Sequence, residues 1–180
     1  MTLEQIRERL PAHAKDLKLN LALLERGTKL DPLQLWGTAV ASALAARNAD
    51  LSRAIVAEAR AHLSAAELEA ARTAAALMAM NNVYYRFTHL VSDEEYERLP
   101  ARLRMQGIAT HGVDPVAFEL WSIAVSAVNG CGRCIDSHER VLREKGASRE
   151  HVQDAVRLAA VIAATAAVLD AERALATQTA

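Results

Sequence analysis

The chain reads as all-α, on three observations. Alanine and leucine dominate an apolar fraction of 52%, while aromatic residues make up only 4%. Alanine and leucine lead the helix scale, whereas strands draw on β-branched and aromatic side chains. Helix start and stop signals recur along the whole chain, and no segment reads convincingly as a strand.

The elements follow in order. Residues 3–9 and 12–25 read as short helices. Asp31-Pro32 pairs an N-cap with proline at the first helical position and opens a helix through about Arg47. A short helix covers 51–61. Ser64-Ala65-Ala66-Glu67 has the spacing of a capping box and starts an apolar-striped helix to about Tyr85. Residues 94–104 form another short helix. Asp114-Pro115 repeats the earlier start signal and opens a helix to about Val128. A helix over 134–145 ends at Gly146, which fits a C-terminal cap, and Ser148 begins a final helix through about Ala174.

At 180 residues the chain is long enough for one well-buried core, so a single domain over 1–180 is expected. Net charge is −1 with acids and bases interspersed, which leaves no electrostatic footprint for nucleic acid or an anionic membrane. The opening residues, MTLEQIRERLP, lack the apolar core of a secretory signal. The longest uncharged run, Leu158 to Leu169, has twelve residues and is too short to span a bilayer. The expectation is a cytoplasmic protein, where thiols stay reduced and a CxxC is metal-binding or catalytic rather than structural.

Two segments, about 31–85 and 114–174, resemble each other. Trp36-x-x-Ala39-Val40 recurs as Trp121-x-x-Ala124-Val125 at an offset of 85, each shortly after Asp-Pro. The helices after Ser64 and Ser148 align at an offset of 84. If this is a duplication, only the second copy carries chemistry: LAARNA in the first stands where the second has NGCGRC.

That second stretch holds the only two cysteines, Cys131 and Cys134, with His138 one turn further on. A structural zinc site takes four ligands, and the second pair normally lies in another CxxC or HxxxH segment, which this chain lacks. Two small buried hydrophobes would suit a less polar setting than Gly132, Arg133 and Asp136 supply. Redox chemistry fits better. Gly130 ends the preceding helix, so both cysteines should lie in the first turn of the next, where free N–H groups and the helix dipole favour thiolate. Arg133 adds a cation. Such a pair can close its own disulfide and act as a reversible two-electron device. The thioredoxin pattern needs a βαβ setting, which is absent.

Cys134 and His138 are i and i+4, neighbours on one helix face, so His138 can serve Cys134 as base directly or through one water. Cys131 lies on the same stripe about 10 Å along the axis. A histidine base needs a third group to hold its tautomer. Glu139 points away as the direct neighbour. Glu119 is the only charged residue between Val116 and Val128, and is either that partner or a solvated glutamate of the first turns.

Glu119, eleven residues, Cys131-x-x-Cys134, three residues and His138 resemble the motif of the alkylhydroperoxidase D (AhpD) family, as does the flanking FELWSIAVSAVNGC. The resemblance extends over nearly the whole chain, within a superfamily that includes carboxymuconolactone decarboxylases. It implies an AhpD-like helical fold, a homotrimer and an antioxidant dithiol oxidoreductase. Such an enzyme reduces alkyl hydroperoxides weakly and reduces the peroxiredoxin AhpC. Its electrons come from dihydrolipoamide on a lipoylated acyltransferase subunit, recharged by dihydrolipoamide dehydrogenase and NADH. Carried over, Cys134 becomes the sulfenic acid and forms the mixed disulfide with AhpC. Cys131 is the proton donor and resolving thiol that closes the 131–134 disulfide, and His138 and Glu119 form the proton relay. Some members place a relay histidine just before the second cysteine; here that position is Arg133, which cannot shuttle protons but can favour a neighbouring thiolate.

A zinc-binding or partner-docking helical module without turnover is the alternative, and a decarboxylase-like enzyme on the same fold is a third reading. The remaining histidines, His13, His62, His89, His111 and His151, read as surface or capping residues, and Trp36 and Trp121 as equivalent core residues.

Overall fold

The computed structural model describes residues 1–176. Every regular element among them is helical: α1 Leu3–Arg9, α2 Lys15–Asn20, α3 Pro32–Ala46, α4 Ala49–Ala59, α5 Ala65–Leu90, α6 Glu95–Arg98, α7 Gly107–Thr110, α8 Pro115–Val128, α9 Gly132–Glu144 and α10 Arg149–Ala176. The start signals read from the sequence are the caps observed. Asp31 accepts from the Gln34 N–H at 2.8 Å while the Gln34 side chain accepts from the Asp31 N–H. Ser64 and Glu67 form the same reciprocal pair, and Asp114 accepts from the Ala117 N–H at 2.9 Å.

Helix α4 lies two residues earlier than the expected 51–61, α9 begins at Gly132 rather than at 134, and α7 has no counterpart among the expected elements; three further differences are larger. Residues 12–25 are not one helix, because α2 is flanked by 3-10 turns at Ala12–Ala14 and Leu21–Leu24. Helix α5 runs past Tyr85 to Leu90, since neither glycine nor proline interrupts it. The span 94–104 holds only α6, because Pro100 forces Leu99 into an extended conformation with ψ 137°. Beyond it Arg102 has φ 51°, and the chain stays irregular until α7.

Helices α3, α5, α8 and α10 pack around one core, with α4 against α3 and α9 against both α8 and α5. The approach of α3 to α8 is close because Gly37 has no side chain: a Cβ there would overlap the Trp121 indole. Trp121, Phe118, Leu120 and Ile123 of α8 are buried, each contributing roughly 1.5–3 kcal/mol by transfer from water. Trp36 is buried too, and His62 stacks on it at 4.4 Å. Both tryptophans are therefore core residues. The capping positions, however, repeat 83 apart (Asp31 and Asp114), so the two indoles, 85 apart, occupy different positions of their helices.

Helix α10 is long and apolar enough to cross a membrane, although its longest uncharged run has only twelve residues. Half of its most apolar window is buried inside the fold, and it packs against both α3 and α8. Its Asp154, also buried, accepts from the Lys29 N–H at 2.6 Å and from Arg157 at 2.9 Å, tying the helix to the loop before α3.

Candidate active site

The site begins at the turn between α8 and α9. Gly130, at φ 67°, takes the left-handed conformation that glycine adopts without a Cβ penalty. The Gly130 N–H donates to the Ala127 carbonyl at 3.1 Å and the Cys131 N–H to the Ser126 carbonyl at 3.0 Å, the two bonds of a Schellman ending. Cys131 thus terminates α8 with its backbone and starts α9 with its side chain. It is the N-cap, not a first-turn residue as expected: its φ of −95° and ψ of 90° are extended, and its Sγ accepts from the Cys134 N–H at 3.3 Å. Cys134 is in the first turn. The two form a disulfide with Cα atoms 5.3 Å apart.

The two sulfurs are not equally placed. Cys131 is fully buried, whereas Cys134 is 6% exposed and lines a cavity of about 410 Å³. Glu119 and His138 line the same cavity, as do Met78, Asn81 and Tyr85 of α5 and Met105 and Ile108 of the segment after α6. His138 Nδ1 lies 2.7 Å from Glu119 Oε2, with both side chains about five-sixths buried. A charge-assisted contact at that distance, shielded from water, orients the imidazole with Nδ1 carrying the proton and Nε2 toward the cavity. His138 hydrogen-bonds Glu119 through Nδ1, while Met78 Sδ lies in contact with Nε2 at 3.2 Å; Cys134 lines the same cavity as the imidazole.

Arg133 does not stand as a free cation beside the thiols. Its guanidinium pairs with Glu97 Oε1 of α6 at 2.5 Å and lies over the Tyr85 ring at 6.0 Å. The contact ties the start of α9 to α6, just ahead of the stretch that supplies Met105 and, in α7, Ile108. Glu139 turns away and faces Arg143 at 4.0 Å. Among the described residues no group of three or more metal-ligating side chains comes together while the two cysteines are joined as a disulfide. The other histidines lie elsewhere: His111 stacks on Phe118, His151 contacts Ser148 at the start of α10, and His13 is near Glu172.

Sequence reasoning missed the α5 wall. Its signal was present: Asn81-Asn82 interrupts an alanine- and methionine-rich helix with two poor helix formers, and Met78, Asn81 and Tyr85 share one face.

Comparison with known sequences places this geometry. The Carboxymuconolactone decarboxylase family matches residues 94–177, which include α8 and α9 and thus Glu119, Cys131, Cys134 and His138. The "Alkyl hydroperoxide reductase AhpD" of Acidobacterium capsulatum is 60% identical over 174 residues, covering 96% of this chain and 95% of its own. The protein of that name from Rhodospirillum centenum is 57% identical, covering 99% and 96%. That from Frankia alni is 54% identical, covering 95% and 92%. At more than half identity over nearly the full length of both chains, this protein belongs to the AhpD family.

Proposed function

We propose that the protein is an antioxidant dithiol oxidoreductase that reduces alkyl hydroperoxides and the peroxiredoxin AhpC, with dihydrolipoamide as electron donor. One observation carries the reading: Cys134, and not Cys131, lines the cavity that holds the Glu119–His138 pair. The name borne by the relatives, alkyl hydroperoxide reductase, supports the same chemistry.

In the reduced protein His138 takes the Cys134 proton through a cavity water, and Glu119 stabilises the imidazolium. The thiolate attacks the hydroxyl oxygen of the hydroperoxide. The O–O bond breaks, Cys134 becomes a sulfenic acid, and the alkoxide leaves as alcohol after regaining one proton, which Cys131 donates. The Cys131 sulfur then attacks Cys134, releasing water and closing the 131–134 disulfide. Oxidised AhpC is reduced instead by a mixed disulfide at Cys134, which Cys131 resolves. A dihydrolipoyl dithiol on an acyltransferase subunit reduces the protein's disulfide by exchange and becomes the lipoyl disulfide. Dihydrolipoamide dehydrogenase then restores the carrier with NADH. Arg133, although paired with Glu97, keeps a cation within one turn of the sulfurs and supports the thiolate.

The reading includes a cytoplasmic homotrimer. Val83, Phe87 and Leu90 form an exposed apolar stripe on α5, at 60%, 49% and 71% exposure, continued by Tyr96 and Leu99. A stripe of this kind supports burial against another copy of the chain.

The decisive experiment measures reduction of the 131–134 disulfide by dihydrolipoamide, thioredoxin and glutathione. Dihydrolipoamide should be the fastest by at least tenfold. Equal rates would remove the lipoyl donor from the reading, and stoichiometric zinc protecting both thiols would replace it with a metal-binding module.

A further inference from the structure

Two adjacent asparagines on α5 have different fates. Asn82 is fully used by the fold: its amide donates to Ser126 Oγ at 2.9 Å, and its carbonyl accepts from Asn129 at 2.9 Å. Asn81 is 5% exposed, and its Oδ1 is buried with no hydrogen-bond partner. Among the described residues four other side-chain atoms share that condition, on Thr38, Ser42, Trp121 and Ser122, but none of those residues lines the dithiol cavity. An unpaired buried acceptor is costly, and the asparagine also lowers the helix propensity of its own segment. Among the described residues no hydrogen bond to Oδ1 offsets the first cost.

We infer that the Asn81 carboxamide binds the hydroperoxide group of the substrate beside Cys134. This rests on the peroxidase reading above and adds a residue to it. A hydroperoxide has one O–H to donate and oxygen lone pairs to accept. A carboxamide is its complement, with one acceptor oxygen and an NH₂ donor on the same plane. Turned about its terminal torsion so that Oδ1 faces the cavity, the carboxamide accepts from the terminal hydroxyl while its Nδ2 donates to the inner oxygen. The attacking sulfur bonds to the hydroxyl oxygen, the O–O bond breaks, and Nδ2 stabilises the negative charge that develops on the departing alkoxide until it is protonated. The products are the Cys134 sulfenic acid and an alcohol. Met78, Tyr85, Met105, Ile108 and Val141 give the organic group an apolar bed in the same cavity.

The test uses full-length Cys131→Ser protein, in which the sulfenic acid on Cys134 persists and is trapped by dimedone. Sulfenylation by cumene hydroperoxide is timed in this parent and with Asn81→Leu added, a substitution of similar volume. Alkylation of Cys134 by iodoacetamide is measured across pH in the same proteins. It requires the thiolate but no bound peroxide. Asn81→Leu should slow sulfenylation by at least about tenfold and leave the alkylation profile superimposable on the parent's. Asn81→Ala gives the same comparison where the leucine variant does not fold, because truncation takes no hydrogen bond from a neighbour. Unchanged sulfenylation overturns the inference alone. A loss shared equally by alkylation assigns Asn81 to the fold or the thiolate, and overturns it as well. A parent that cumene hydroperoxide does not sulfenylate defeats the peroxidase reading, and the inference with it.

Discussion

The corner between α3 and α4 and the corner between α8 and α9 share one backbone plan. Each first helix starts at Asp-Pro, each has a left-handed residue at its end, and in each an extended residue caps the second helix. Aligned on those caps, 83 positions apart, the corners differ in what fills the frame. Arg47, at φ 66°, stands where Gly130 has φ 67°. Asn48 Oδ1 accepts from the Leu51 N–H at 2.8 Å where Cys131 Sγ accepts from the Cys134 N–H. Leu51 and Ile55, both fully buried, stand where Cys134 and His138 line a cavity, and buried Trp36 stands where Glu119 does. One corner closes by packing. The other keeps the same turns, exchanges large apolar groups for ionisable ones, and leaves room between them for a ligand.

The sharpest way to break this contrast is to truncate both members of one aligned pair. Ile55→Ala removes buried side chain from a closed site and should cost about 2–5 kcal/mol of stability with turnover per folded molecule intact. His138→Ala, lining an open cavity, should cost far less stability and lower peroxide turnover by about 10²–10⁴-fold. Thermal melts and turnover normalised to folded protein measure both. Turnover lost equally in the two variants would mean that the corners are not separable.

Next in size is the Glu119–His138 pair. Glu119→Gln keeps the shape and removes the charge, so alkylation of Cys134 at neutral pH should slow by at least about tenfold. Raising the pH should recover much of the loss, as hydroxide replaces the relay. Glu139→Gln is the control, since Glu139 faces Arg143. Superimposable profiles for Glu119→Gln and the unaltered protein would make the Glu119–His138 contact purely structural and leave His138 as the only base.

The smallest expected effect lies at the aligned pair Asp50 and Arg133, where the charge at the helix start reverses sign. Asp50 suits the positive end of the α4 dipole, and hydrogen bonds from Arg9 and then Arg53 hold its carboxyl below the ordinary value of 3.8. A depressed folded-state value means that its contribution is complete above 3.8 and fades as pH falls through the lower, folded value. Asp50→Asn should therefore lower the melting temperature slightly near neutrality, with the difference vanishing in strong acid. A difference that widens toward acid would contradict this. Arg133 sits against its own helix dipole, and Glu97 offsets that locally.

Much of this corner was readable in advance because its signals are local. A cap acts on an N–H three residues away, and a tight turn returns α9 alongside α8, so Glu119 and His138 meet although they are 19 residues apart. The irregular course after Leu99 was legible in principle from Pro100, which disfavours helix at the residue before it. Nothing local, however, says that Met78 touches His138 from 60 residues away, or that Glu97 pairs with Arg133.

Helix identity, cap positions, the dithiol and its base were thus decided by residues within a turn or two of one another, since capping and periodicity act over three or four positions. The α5 wall, the pairing of Arg133 with Glu97, the unpaired Asn81 and the inequality of the two sulfurs were decided by packing. They depend on how closely α3 meets α8 over the bare Gly37, and on where that leaves α5 and the segment after α6 against α9. Such distances follow from the summed fit of many side chains, and no short stretch of sequence contains them.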